Sequence, residues 1–546
     1  MSMIFQSSFY QTKRILLVED CEPIRASIRG MLQQIGFEQI TAVADAASAL
    51  EKAELTAFDF VLADVQLENG LNGVQLFETL KKRQLLKESS CVALISADSI
   101  RKVVFGISQR QPDCYIQKPF TYLTLEKQLA RAMQQRLALR KVFQALPAKP
   151  EQALLECDRV VKEAPAHALH ALRLKGELLL QLGQAQQAVA LYQQILQSRE
   201  LSWALLGNAI ALFQTGNNQA LKQLQLLSKA EETRPEALDW LIRLSLQQQE
   251  PEQALSYAQE LARAMPQSVE VVQVQAQLAA LCQDTDEAIR YWQKASQQHR
   301  YSALDSAQHY LNPARLQLLK VAQSKSLRPA SLLAKAEESL QALPKRFLTD
   351  SLQPELQLVQ ARIALLQGQW TQAQHYLNEA LQQDPNHWSL AARVDLALLK
   401  LAFGDQKGLE QVAAKLSVAA VSTDLSGAVE SALAAFWQQQ LTQLWSQTKG
   451  WMQQGQKDYR AQSFAQALGR LWQAFLYMPA NSSLALSLWQ TLANLPPAEK
   501  LRPMAQLLSQ LLQQSQLSGS NAERFTAIYQ QLAEPYKLTA SQSAKA

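Results

Sequence analysis

At 546 residues the chain far exceeds the ~100–200 residues that one hydrophobic core usually serves, which excludes a single small module. With 48% hydrophobic and 18% charged residues it can bury a core, and with only 17 Gly and 19 Pro it lacks the turn signals of an all-β protein, so helix should dominate. A net charge of +5 without a sustained basic run gives no argument for nucleic acid as a partner.

In chain order, residues 1–13 read as an N-terminal extension with no basic start followed by an apolar core. Nowhere do about 18 apolar residues run uninterrupted, so neither secretion nor a membrane span is signalled. The nearest approach, residues 412–437, contains Lys415, Asp424 and Glu430 and reads as buried or stacked helix. Five cysteines (Cys21, Cys91, Cys114, Cys157, Cys282) are never spaced as C-x-x-C, which fits a reducing cytosol and suggests neither disulfides nor zinc.

From Arg14 to about Arg140, short apolar runs alternate with amphipathic patterns. Residues 14–18, 39–43, 58–63, 91–95 and 114–116 read as strands; residues 23–35, 46–52, 73–81, 99–108 and 121–140 read as helices. Strict alternation implies right-handed crossovers and a parallel sheet covered on both faces, with function collected where the strands end. Glu19-Asp20 follow the first strand, Asp64 the third, Ser96 the fourth, and Lys118-Pro119 the fifth. Three carboxylates at neighbouring strand tips make a hard oxygen pocket of the kind that holds Mg²⁺, and a lysine with a hydroxyl beside it suits a phosphoryl group. Asp64 is then the natural nucleophile.

Glu19-Asp20, Asp64, Ser96 with the small Ala97, Tyr115 and Lys118-Pro119-Phe120 resemble, in order, the motifs of the receiver domains of two-component response regulators. The resemblance covers residues 13–135. It implies a flavodoxin-like (βα)5 fold in which Asp20 and Asp64 ligate Mg²⁺ (or Mn²⁺) with the Gln66 backbone carbonyl, and Glu19 holds a metal-bound water. It further implies that Asp64 takes phosphate from a phosphohistidine, that Lys118 pairs with the phosphoryl group, that Ser96, Ala97 and Tyr115 switch, and that the bond before Pro119 is cis. The stretch Leu67-Glu-Asn-Gly-Leu-Asn-Gly73 departs from that family's shorter turn with Met-Pro.

Beyond Arg140 the strand signal stops. Ala188, Ala220, Ala254 and Ala288 recur at intervals of 32, 34 and 34 residues, each about one turn before an apolar or aromatic residue (Tyr192, Leu224, Ala258, Trp292). A period near ~34 with a small residue on each of two helices resembles tetratricopeptide repeats, implying an all-α superhelical solenoid of at most about eleven helix pairs whose concave face binds polypeptide. Ala361, Gly368, Ala373, Ala380 and Pro385 make the best copy; Gly176, Gly183, Ala188 and Tyr192 make another. The expected divisions are a receiver at 14–140, a linker at 141–150, an array at 151–300, an irregular helical segment interrupted by prolines at 301–353, a second array at 354–538 and a frayed tail at 539–546. The ten tryptophans read as core between helices, and His167 with His170 has no pattern of metal ligands.

The combined expectation is a cytoplasmic response regulator, not an enzyme with a separate substrate. A sensor histidine kinase or phosphotransfer protein phosphorylates Asp64, and the repeat array, through concave-face residues the sequence does not name, regulates a protein partner. The competing readings are a phosphate sink that inhibits transfer to another regulator, and a scaffold independent of phosphorylation. Homodimerisation is an open alternative.

Overall fold

The computed structural model describes residues 5–67, 71–87, 89–96, 112–146, 149–266, 268–300, 305–323, 330–416, 424–515 and 517–538. The expected helix at 99–108, Ala97, Pro329 and the tail at 539–546 lie outside the described residues. The chain divides into two compact units, Met1–Val271 with His299–Asp305, and Val272–Gln298 with Ser306–Ala546.

The first unit begins with a short helix α1 (Ser7–Gln11), followed by β1 (Arg14–Val18), α2 (Glu22–Ile35), β2 (Gln39–Val43), α3 (Ala46–Leu55), β3 (Phe60–Asp64), α4 (Gly73–Lys82), β4 (Cys91–Ser96), β5 (Cys114–Gln117) and α5 (Tyr122–Ala138). All strands pair in parallel in the order β2-β1-β3-β4-β5. Successive residues of one strand point to opposite faces, so each strand feeds two cores. Ile15, Leu17, Phe60, Leu62 and Ile95 pack with Ile28 and Leu32 of α2 and Leu125 and Leu129 of α5. Leu16, Val18, Val61, Ala63 and Leu94 pack with Ala49 and Ala53 of α3 and Leu76 and Leu80 of α4. Burial of each such side chain stabilises by about 1.5–3 kcal/mol, and coverage on both faces explains why these strands are apolar throughout rather than alternating.

Two sequence expectations need correction here. Part of the extension is folded: Tyr10 of α1 is fully buried against Phe37 and donates to Glu126 Oε1 at 3.1 Å. The 141–150 linker is largely helical as well, because α5 breaks at Leu139 and the chain re-enters helix as α6 (Arg140–Ala145), whose Val142 is fully buried with Ala153 and Cys157.

Helices then follow one another: α7 (Pro150–Glu163), α8 (Ala168–Gln181), α9 (Ala185–Ser198), α10 (Ser202–Gln214), α11 (Gln219–Leu227), α12 (Arg234–Gln247), α13 (Pro251–Ala264), α14 (Val269–Leu281) and α15 (Thr285–His299). The periodic alanines Ala188, Ala220, Ala254 and Ala288 are all fully buried, as close helix packing requires. Gly176 of α8 and Gly207 of α10 flank the ring of Tyr192: a Cβ on either would fall 2.4 or 2.3 Å from it, so the phenol is wedged where only glycine leaves room.

The second unit holds most of α14 and α15 and then α16 (Gln308–Gln323), α17 (Ala330–Gln341), α18 (Gln353–Gln367), α19 (Trp370–Ala380), α20 (Leu390–Phe403), α21 (Gln406–Leu416), α22 (Leu425–Arg460), α23 (Phe464–Tyr477), α24 (Ser482–Ala493), α25 (Arg502–Gln514) and α26 (Ser520–Tyr536). Within 301–353 the described residues hold the helix pair α16 and α17, packed through Ala314, Leu318, Leu333 and Ala336, with Pro313 inside α16. The described residues of 412–437 lie in α21, which ends at Leu416, and in α22, which starts at Leu425 and is capped by Asp424 accepting from Gly427 N–H at 2.8 Å. Among the described residues no helix is long and apolar enough to cross a membrane.

Candidate functional site

The parallel sheet brings Glu19, Asp20 and Asp64 together because β1 and β3 are hydrogen-bonded neighbours that end at the same edge, Val18 opposite Ala63. One carboxylate oxygen from each lies within 4.8 Å of the others, the one such group of His, Cys, Asp or Glu among the described residues. Glu19 is 1% exposed and Asp64 6%, whereas Asp20 is half-buried at the mouth. Lys118, delivered by the end of β5, donates from Nζ to Asp64 Oδ2 at 2.6 Å and to Glu19 Oε2 at 2.8 Å.

Charge explains the titration of the pair. Burial raises the Glu19 carboxyl above its usual range; the hydrogen bond from Lys118 opposes this, and the charges of Asp64 and Asp20 reinforce it. Burial alone would lower the Lys118 ammonium, but its hydrogen bonds to Asp64 and Glu19 win and hold it raised. Three converging carboxylates with one lysine leave uncompensated negative charge on hard oxygen donors, which fits a divalent cation such as Mg²⁺.

The loop geometry fixes these groups. Asp64 Oδ1 accepts from Gln66 N–H at 3.1 Å, and Asp20 Oδ1 accepts from Cys21 N–H at 2.9 Å. Ser96 is buried at the end of β4, and its carbonyl accepts Lys118 N–H at 2.8 Å. The Lys118-Pro119 bond is cis. Tyr115 is half-buried against the Leu94 face of the sheet, and burial raises its phenol well above the usual range. Of the residues expected at the site, the structure thus gathers Glu19, Asp20 and Asp64 with Lys118 bonded to two of them, sets Ser96 and the Gln66 backbone at the same edge, and places Tyr115 on β5 three residues before Lys118.

Sequence reasoning passed over three contributors. Gly73 opens α4 so close under the site that a Cβ there would sit 2.0 Å from the Asp64 carbonyl oxygen. On either side of it, Asn72 and Gln75 form a reciprocal cap, each side chain accepting the other's N–H at 2.9 Å, which ends the unusual 67–73 stretch in a defined helix start. The spacing N-x-x-Q is a legible signal. Arg25 of α2 donates to the carbonyls of Glu19 and Asp20.

A doubly wound domain with a cation-fitting acidic pocket and a lysine at its strand ends is the class that fold and site define together. Residues 15–130 match the response regulator receiver domain family. Over 116 residues the chain is 30% identical to chemotaxis protein CheY-3 of Vibrio cholerae, covering 88% of that protein and 21% of this one. It is 26% identical over 118 residues to chemotaxis protein CheY of Pseudomonas aeruginosa, covering 94% of that protein and 22% of this one. The solved chemotaxis response regulator CheY4 of Vibrio cholerae aligns over 98% of its length and 22% of this chain, at 22% identity and a TM-score of 0.20. Through this amino-terminal segment the chain belongs to the response regulator receiver domain family, and the long all-helical region follows it.

Proposed function

We propose that this protein is a cytoplasmic two-component response regulator that accepts a phosphoryl group on Asp64 from a histidine kinase or phosphotransfer protein and transmits the change to a tetratricopeptide-type array that binds a protein partner. The observation that carries the reading is the convergence of Glu19, Asp20 and Asp64 within 4.8 Å, with Lys118 on two of them. An Asp64 carboxylate oxygen attacks phosphorus, the bond from phosphorus to the imidazole nitrogen of the donor breaks, and its electron pair stays on the imidazole. Asp20 and Asp64 with the Gln66 carbonyl would hold Mg²⁺, which would supply positive charge to the phosphoryl oxygens. Lys118 shifts from the carboxylates to those oxygens, and Ser96 offers its hydroxyl to the same group. The new group carries about −1.5 to −2 charge, enough to rearrange Ser96 and Tyr115.

Transmission to the array is supported by the continuity of α5, α6 and α7. Arg136 of α5 reaches the carbonyl of Ser90 at 3.0 Å and Asp113 at 3.4 Å, while its guanidinium lies 4.4 Å from the ring centroid of Phe143 in α6. Phe143 packs on the cluster that contains Ala153, Cys157 and Ala171. Strands β4 and β5, which carry Ser96 and lead to Lys118 at one end, are thereby tied at their other end to the first array helices. Incubation with Mg²⁺ and acetyl phosphate, followed by peptide mass spectrometry, is expected to place one phosphoryl group on Asp64 and none on Asp64→Ala; label on another residue refutes the site. In cells, a scaffold independent of phosphorylation keeps its output in Asp64→Ala, whereas the proposed regulator loses its response to the kinase.

A further inference from the structure

Arg25 stands at an unfavourable place for a cation, in the first turns of α2, where the helix dipole presents positive charge. Its position is explained by what it holds. From Nη1 it donates to the carbonyl oxygen of Glu19 at 2.7 Å and to that of Asp20 at 3.1 Å. The helix itself offers no side-chain cap at Cys21, so the β1–α2 turn relies on other anchors. Those anchors are Glu19 N–H on Val43 O at 3.2 Å, Cys21 N–H on Asp20 Oδ1 at 2.9 Å, and the Arg25 guanidinium.

We propose that Arg25 is a positioning residue for the divalent cation: through the carbonyl oxygens it fixes the backbone of Glu19 and Asp20 so that their carboxylates stay converged on Asp64. The inference rests on the proposed cation-dependent phosphoryl acceptance. Three mutually repelling carboxylates splay apart unless their backbone is held, and Arg25 holds it through two carbonyl oxygens. Lysine keeps the charge and a nitrogen that can donate, but carries it on a flexible stem without the planar guanidinium that fixes both N–H directions of Nη1.

The test uses the full chain with Arg25→Ala, Arg25→Gln and Arg25→Lys. Mn²⁺ binding is followed by the paramagnetic resonance of the free ion, and acetyl phosphate labelling is followed against Mg²⁺ concentration. Both neutral variants should bind Mn²⁺ about 10-fold more weakly, the range in which outer-shell partners of metal ligands act, with Arg25→Lys in between. Labelling should need correspondingly more Mg²⁺ but reach the wild-type rate at saturation. Unchanged Mn²⁺ affinity in the neutral variants overturns the proposal, as does a labelling rate that stays low at saturating Mg²⁺. If near-ultraviolet circular dichroism shows both neutral variants unfolded, Arg25 serves folding and the proposal fails. Absence of cation binding or of labelling in the wild-type protein instead overturns the reading on which it rests.

Discussion

In the sheet domain three carboxylates, Glu19, Asp20 and Asp64, converge with Lys118 bridging two of them; in the array two carboxylates, Glu355 and Asp395, meet two arginines, Arg315 and Arg362. Glu19 and Asp64 are buried, as are all four residues of the array set, yet the charge balance of the two sets differs. Arg315 of α16 reaches Glu355 of α18 at 2.9 Å and Asp395 of α20 at 2.6 Å, and Arg362 reaches Asp395 at 2.5 Å. Gln308 and the backbone of Ser389 complete Glu355, whose carboxyl burial would raise but which Arg315 and these hydrogen bonds hold below the usual range. The array network is neutral and closed; the pocket is anionic. A buried cluster that balances itself ties helices together, whereas one left unbalanced calls for a missing cation.

The comparison breaks most visibly at the array. Arg315→Met should leave Glu355 and Asp395 short of their main partner and destabilise the second unit by about 3–5 kcal/mol, the cost of breaking a buried ion pair. Replacing all four charged residues by apolar ones of similar size should recover most of that loss in a denaturant titration. A loss in the fourfold variant as large as in Arg315→Met contradicts the account of a merely structural network. In the pocket, Gly73→Ala forces the Asp64 backbone to move, because no side chain can yield at 2.0 Å; a destabilisation of about 1–3 kcal/mol and slower acetyl phosphate labelling are expected.

A smaller effect sharpens the junction between the two regions. Arg136→Ala removes the bonds to Ser90 and Asp113 and the contact with Phe143, so limited proteolysis between α5 and α7 should quicken while the melting of the sheet changes little. Unaltered cleavage would mean that Arg136 does not hold the junction. The smallest effect concerns pH. Burial pushes the Glu236 carboxyl from its ordinary 4.5 up to about 7, with Asp239 adding to the shift and Arg173 opposing it. The folded state then holds a proton that the unfolded chain has released between those values, so this contribution to stability is full at low pH and is lost as pH rises through about 7. Glu236→Gln should melt at a higher temperature than the wild type above neutrality and at the same temperature in acid; a uniform shift at every pH would rule out titration as the cause.

How much the sequence disclosed follows the range of the interactions. Local signals were faithful: the first two strands end as expected, the others differ by a residue or two, and the pocket was assembled from strand ends alone because parallel pairing places every such end at one edge. Interactions across long separations stayed hidden. Tyr10 reaches Glu126 over 116 residues, which turned an apparent extension into part of the core. Proline misled at Pro313, which lies inside α16, where packing by Ala314 and Leu318 outweighs its disfavoured place. The array's buried arginines carry no local period at all, since their partners come from α18 and α20.

The central claim, that the array feels the state of the pocket, is tested most directly by hydrogen exchange along the full chain with Mg²⁺, before and after acetyl phosphate. The account predicts altered exchange in the loops that carry Asp64 and Lys118 together with residues 140–163 of α6 and α7, both changes vanishing in Asp64→Ala. Altered exchange at the pocket with α6 and α7 untouched would contradict it.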